Sequence, residues 1–165
     1  MSKDKSKGNK DSGDSNNRVI ARNRKASHNY ELLKTYDAGL VLMGSEIKSI
    51  RDNRVSISDG FVQERDGELW VLNMHIAQYN QAAAFGHDDP LRPRKLLLHR
   101  REIAQILGRT RDKGYTVVPT RLFLTRGKAK LQIAVARGKK LHDKRDAKSK
   151  RDAQRQIERA LKERI

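Results

Sequence analysis

The chain has 165 residues, no cysteine, 36% hydrophobic and 35% charged residues, and a formal net charge of +17. That leaves room for one domain with polar ends, excludes disulfides, Cys-ligated zinc and thiol nucleophiles, and calls for an anionic polymer or surface as partner. No apolar run reaches membrane-spanning length and the N-terminus carries no apolar signal stretch, so the reading is nucleic acid, no membrane, and a cytoplasmic location.

The positive charge is concentrated at the ends. Residues 1–25 hold 8 Lys/Arg against 3 Asp/Glu, and residues 137–165 hold 12 against 5. Residues 1–17, rich in Lys, Ser, Asp, Asn and Gly, read as a disordered polar tail too hydrophilic to fold alone. Residues 18–140 read as the folded domain and 141–165 as a basic C-terminal arm.

Within the domain, Tyr30, Leu32, Leu33, Leu40 and Leu42 predict strand pairs around a turn near Asp37-Ala38-Gly39. Residues 44–51 predict a short helix with Ser45 as N-cap and Ile47 and Ile50 facing inward. Asp66-Gly67 is a hairpin signal between Phe61–Arg65 and Glu68–Leu72. Further strands are predicted at Val55–Ser58, His75–Tyr79 and Lys95–Leu98. A helix follows from about Arg100 to Arg109, with Ile103, Ile106 and Leu107 on one face and Gly108 near its end. Two last strands, Tyr115–Leu124 and Lys130–Ala136, flank a turn at Arg126-Gly127.

Six or seven short strands with two helices predict a mainly β fold, a small antiparallel barrel with flanking helices. The oligonucleotide-binding (OB) barrel is the natural candidate, although periodicity alone leaves other small barrels open. The arm from Asp143 onward has no Gly or Pro. Ala153, Ile157, Leu161 and Ile165 form a thin i, i+4 stripe, and Asp146→Lys150 and Glu158→Lys162 are well-oriented pairs. Such a helix is marginal alone, so the arm is expected to be helical only when bound.

Candidate sites follow from charge and placement. Lys139, Lys140, His142, Lys144 and Arg145 form a basic hinge suited to phosphates, with His142 able to stack on a base; a solvated charge run is the plain alternative. Arg92, Arg94, Lys95, Arg100 and Arg101 form a second basic set around a Pro-containing loop. Leu96-Leu97-Leu98 breaks strand alternation, so Leu97 either faces outward or lies under the next helix. Asp37 and Glu46 are acidic groups able to accept from RNA hydroxyls or base amines, or to serve as caps and surface pairs. The five histidines (His28, His75, His87, His99, His142) lack metal-ligand spacing, and no phosphate loop or nucleophile elbow is present. The expectation is no enzyme, no metal and no cofactor; the rivals are a structural ribosomal protein and a nuclease using Asp88 and Asp89.

Five blocks carry a specific likeness: Asn23-Arg24-Lys25-Ala26, Tyr36-Asp37-Ala38-Gly39, Gly44-Ser45-Glu46-Ile47-Lys48-Ser49, Arg94-Lys95-Leu96-Leu97-Leu98, and Gly138 to Arg145. In this order, across about 120 residues, they resemble the SsrA-binding (small protein B, SmpB) family of bacterial trans-translation. The resemblance implies an OB-type barrel holding the tRNA-like domain of transfer-messenger RNA (tmRNA). It also implies entry into a stalled ribosome, where the protein fills the space of the codon–anticodon stem and its arm folds along the empty messenger channel. Elongation factor Tu is implied as an indirect partner through the shared RNA. RNA contacts are implied for Asn23, Lys25, Asp37 (where the family usually has Glu), Glu46, Lys48, Arg94, Lys95, Leu97, Lys130, Lys139 and Lys140. The resemblance places His142, Asp143, Lys144 and Arg145 at the decoding centre.

Overall fold

The computed structural model describes residues 17–79, 89–139 and 141–163, the side chains of 141–147 and 163 excepted. The expected polar tail lies outside it up to residue 16, as do Lys140, His87 and Asp88.

Four helices and nine strands alternate among the described residues: β1 (Asn17–Arg22), α1 (Arg24–Asn29), β2 (Tyr30–Leu40), α2 (Gly44–Arg51), β3 (Val55–Ser56), β4 (Phe61–Arg65), β5 (Glu68–Leu72), β6 (His75–Ile76), β7 (Arg94–Leu97), α3 (Arg100–Thr110), β8 (Tyr115–Thr125), β9 (Lys128–Gly138) and α4 (Leu141–Glu163). Seven strands form one antiparallel sheet in the order β1-β8-β9-β2-β7-β5-β4, while β3 and β6 pair separately. Strand β4 returns to lie against β8. The sheet thereby curls into the expected OB-type barrel, with helices flanking it.

Both hairpin turns form as the sequence predicts. Asp66 and Gly67 have φ of 52° and 78°, and Arg126 and Gly127 have 51° and 76°, the pair of left-handed residues that lets a two-residue turn follow strand twist. The second turn matters most, because it sets the register of β8 on β9. Leu122, Leu131, Ile133 and Val135 point into the barrel from these strands, joining Ile50, Leu69, Val71 and Leu96 in one core. Ile106 of α3 is fully buried over it, with Ile103 and Leu107 beside it. Each such aliphatic side chain contributes about 1.5–3 kcal/mol on burial.

Three expectations are corrected. Asp37-Ala38-Gly39 is no turn: β2 runs straight through it, paired to β9 on one side and to β7 on the other. Gly39 serves close approach instead, since a β-carbon there would sit 3.2 Å from the Leu97 β-carbon. Ser45 does not cap α2; Met43 does, and its backbone N–H donates to Glu46 Oε1 at 2.8 Å. Gly108 lies inside α3, which continues to Thr110. In the polar stretch that opens the folded domain, β8 supplies ladder partners for β1 and Asn23 caps α1.

Candidate nucleic-acid interface

In β7 the alternation decides which residues reach solvent. Arg94 and Leu96 are fully buried, whereas Leu97 is 52% exposed and Lys95 partly so. Leu97 thus faces outward, and the alternative of cover by the following helix fails; Leu98 is the residue that packs against the core.

Directly opposite residues of antiparallel strands share a face. Leu97 lies opposite Gly39, Gly39 opposite Lys130, Lys130 opposite Phe123, and Phe123 opposite Val19. The next row along the strands reads Asp37, Gln132, Arg121, Arg22. Leu97, Lys130 and Asp37, far apart in sequence, are therefore neighbours on one outward face. Gln132 Nε2 donates to Asp37 Oδ1 at 3.4 Å, and the Arg121 guanidinium lies 4.8 Å from the centre of the Phe123 ring. Trp70 stands opposite Lys95, which pairs with Glu68 at 3.8 Å. An apolar knob, cations, an amide and the half-buried Trp70 on one sheet face, with Phe123 buried beside Arg121, match the way β-sheet modules hold single-stranded or irregular RNA.

Three residues expected at the RNA are structural. Glu46 and Arg94 are both fully buried and bonded to each other, Arg94 Nε to Glu46 Oε2 at 2.6 Å. Arg92 donates to the other carboxylate oxygen, and Arg94 also donates to the carbonyls of Met74 and Pro90. Burial alone would raise the Glu46 pKa. The hydrogen bonds from Arg92 and the Met43 N–H, with the charge of Arg94, outweigh it and hold the carboxyl below its ordinary value. Burial draws the Arg94 pKa down against Glu46, but a guanidinium has ample room to fall and remain charged. Asn23 is the third. Its side chain accepts from the Ala26 N–H at 3.1 Å and donates to the Pro119 carbonyl at 2.8 Å, tying α1 to β8. Glu46 and Arg94 are fully buried and closed to a ligand, whereas Asn23, 8% exposed, also borders the surface pockets on either side of α1.

The remaining cations lie on two other regions. Lys48 is exposed on α2, its Nζ 5.6 Å from the Tyr79 ring centre. Lys25 is exposed on α1 and pairs with Asp59 at 3.4 Å. Lys139 Nζ donates to the Ser27 carbonyl at 3.0 Å, beside an Arg137–Glu31 pair at 2.7 Å. His142, Asp143, Lys144 and Arg145 lie in the first turns of α4, with side chains outside the description. The hinge begins at Lys139, just past β9 and nine residues from Lys130, or roughly 30 Å at strand rise. Hinge and outward face are thus separate places. Asp89, one of the two rival nuclease carboxylates, accepts from the Leu91 N–H at 2.9 Å and shapes its loop. Among the described residues no helix is long and apolar enough to cross a membrane.

Sequence reasoning passed over Arg121, Phe123, Gln132 and Arg22. The signal was present: the Arg126-Gly127 turn brings Phe123 opposite Lys130, and the same face then includes Arg121 and Gln132.

Known proteins resemble this chain over most of its length. The SmpB protein family model matches residues 20–163. The SsrA-binding protein of Roseiflexus sp. (strain RS-1) is 56% identical over 147 residues, covering 89% of this chain and 93% of its own. That of Geobacillus kaustophilus is 53% identical, covering 89% and 94%. A solved structure described as "tmRNA-SmpB: a journey to the center of the bacterial ribosome" is 44% identical with a TM-score of 0.62, covering 74% of this chain and 85% of that one. With the family model and these relatives spanning nearly all of the barrel and arm, the chain belongs to the SmpB family.

Proposed function

We infer that this chain is a non-enzymatic RNA-binding adaptor that captures SsrA RNA (tmRNA) and delivers it to stalled ribosomes for trans-translation. The observation that carries the reading is the outward row of Leu97, Gly39 and Lys130 beside Asp37 and Gln132, in a chain whose relatives are SsrA-binding proteins. Recognition is of shape: the tRNA-like domain meets an apolar knob beside the half-buried Trp70, and Lys130, Lys95, Lys48 and Lys25 neutralise phosphates around it. Asp37 and Gln132 supply acceptors and an amide for ribose hydroxyls or base edges.

The arm serves a second step. Helix α4 has 23 residues, about 35 Å of helix, and it departs from the end of β9 remote from Lys130. That separation supports a division of labour in which the barrel holds RNA while the arm occupies the decoding centre and the empty messenger channel. Lys139 and Lys140 then form the hinge, and His142, Asp143, Lys144 and Arg145 engage the small subunit. Elongation factor Tu joins through the shared RNA, and the assembly works in the cytoplasm.

The test is a titration against the tRNA-like domain of tmRNA with an ordinary tRNA as competitor, at two salt concentrations. Preference that survives the higher salt is expected. Equal binding to both RNAs that collapses with salt would reduce the interaction to the +17 charge and overturn the reading.

A further inference from the structure

Three guanidinium groups line one pocket on the barrel's outer face with no carboxylate to neutralise them. The pocket, about 350 Å³, is bordered by Arg22 at the end of β1, the α1 cap Asn23, Arg24 and Ser27 of α1, Thr120 and Arg121 of β8, and Gln132 of β9. Among the described residues no ion pair engages Arg22, Arg24 or Arg121, whereas Arg92, Arg94 and Arg137 are all paired to glutamates. Arg22 and Arg121 also stand directly opposite each other on adjacent strands. Like charges in that position repel, and an anion between them relieves the repulsion.

The rest of the pocket is arranged for the same ligand. The Phe123 ring orients the Arg121 guanidinium at 4.8 Å without cancelling its charge. Thr120 Oγ1 donates to Gln132 Oε1 at 3.0 Å, and Gln132 Nε2 reaches Asp37 at 3.4 Å, so a fixed amide links the pocket to the Asp37 row. Its volume lies at the low end of the range of small-ligand pockets, about 300–1,000 Å³. Forked guanidinium groups match phosphate better than ammonium groups do.

We propose that this pocket is a phosphate seat for the bound RNA, gripping one backbone phosphate and its ribose where the strand passes off the Leu97–Lys130 row. The proposal rests on the RNA-adaptor reading. It adds that part of the affinity comes from an arginine clamp on β1, α1 and β8, which adjoins the hinge where Lys139 donates to the Ser27 carbonyl.

The experiment measures affinity of the full chain for the tRNA-like domain across a salt series. The Arg22→Ala/Arg121→Gln double variant is compared with Arg65→Ala/Arg109→Ala, which removes two exposed arginines elsewhere. The clamp predicts a loss of about tenfold or more and a salt slope lower by about one for the first pair, against about twofold to threefold for the control. Arg121→Lys, which keeps the charge but not the fork, should recover only part of the loss. Should the double variant fail to melt cooperatively, Arg24→Ala, on the exposed first turn of α1, carries the test with a smaller loss in the same direction. Equal losses in both pairs, or full recovery with lysine, would overturn the seat. So would tight binding of inorganic phosphate at matched ionic strength with no change in RNA affinity in the double variant, which would mark a small-anion site. Wild-type binding that shows no preference for the tRNA-like domain would instead bring down the adaptor reading itself.

Discussion

Glu46 Oε2 meets Arg94 Nε at 2.6 Å with both side chains fully buried. The pair joins α2 to β7, and Arg94 extends the link to the Met74 and Pro90 carbonyls. Two charges under a small barrel are costly unless each is matched, and here every neighbour of the carboxylate is a donor.

Removing one partner should be expensive. Glu46→Gln or Arg94→Met leaves a buried charge or several carbonyls unmatched, with an expected loss of about 3–5 kcal/mol in urea unfolding. At concentrations where the variants remain folded, affinity for the tRNA-like domain should stay within about twofold, since neither side chain reaches solvent. A large fall in RNA affinity in a folded variant with wild-type stability would return these residues to the RNA surface.

The same pair gives stability a pH dependence. The folded Glu46 pKa lies below the ordinary 4.5, so the folded chain holds its proton less tightly than the unfolded chain does. Its contribution is therefore complete above the unfolded value and is lost as pH falls from about 4.5 through the folded value. Unfolding midpoints measured from pH 7 to pH 3 should drop at the acid end, and the drop should be shallower in Glu46→Gln. Parallel curves for wild type and variant would show that other carboxylates govern acid unfolding.

Leu97 should behave in the opposite way to Glu46. With the side chain 52% exposed, Leu97→Ala is expected to change stability by no more than about 0.5 kcal/mol and to weaken RNA binding about tenfold. Gly39→Ala probes the same knob from below. The new methyl would meet the Leu97 β-carbon at 3.2 Å, so an exposed side chain must shift by a few tenths of an ångström. Reduced affinity at nearly unchanged melting temperature is expected for both. A stability loss for Leu97→Ala matching that of a core leucine would mean the residue is packed, not presented.

These contrasts also show what could be read from the residues alone. Hairpins at Asp66-Gly67 and Arg126-Gly127 and the inward face of α3 were legible because turn chemistry and side-chain period are local. Gly39 misled because glycine signals turn and close approach alike, and only pairing with Leu97 separates them. For Arg94 and Glu46 the resemblance implies RNA contact, while the residues themselves leave Glu46 open to the capping role it takes on the Met43 N–H; nothing in their neighbours announces a mutual burial. Arg121 and Phe123 were missed for the reverse reason: their role depends on register with Lys130 and Arg22.

Deleting residues 141–165 separates the two ends of β9. Affinity for the tRNA-like domain should remain within about threefold, while peptide tagging on ribosomes stalled on a truncated message should be abolished. If the deletion removes most RNA affinity, the arm is an electrostatic anchor and the division of labour fails.

The state of the arm in the free chain is separately measurable. Helix α4 leaves Ile157 55% and Leu161 60% exposed, and its described link to the barrel is Arg151 to His28 Nδ1 at 2.8 Å, near α1. A helix with an uncovered apolar stripe gains little from tertiary packing, so it opens at a free energy far below that of the barrel. Hydrogen exchange should find amides 152–163 protected by about tenfold or less in the free protein. Amides of β9 should exchange only with global unfolding. Protection of the arm should rise when the tmRNA complex is loaded on a stalled ribosome, where the channel wall covers Ile157 and Leu161. Strong protection in the free chain would show a preformed rod, and the arm would then enter the ribosome without folding there.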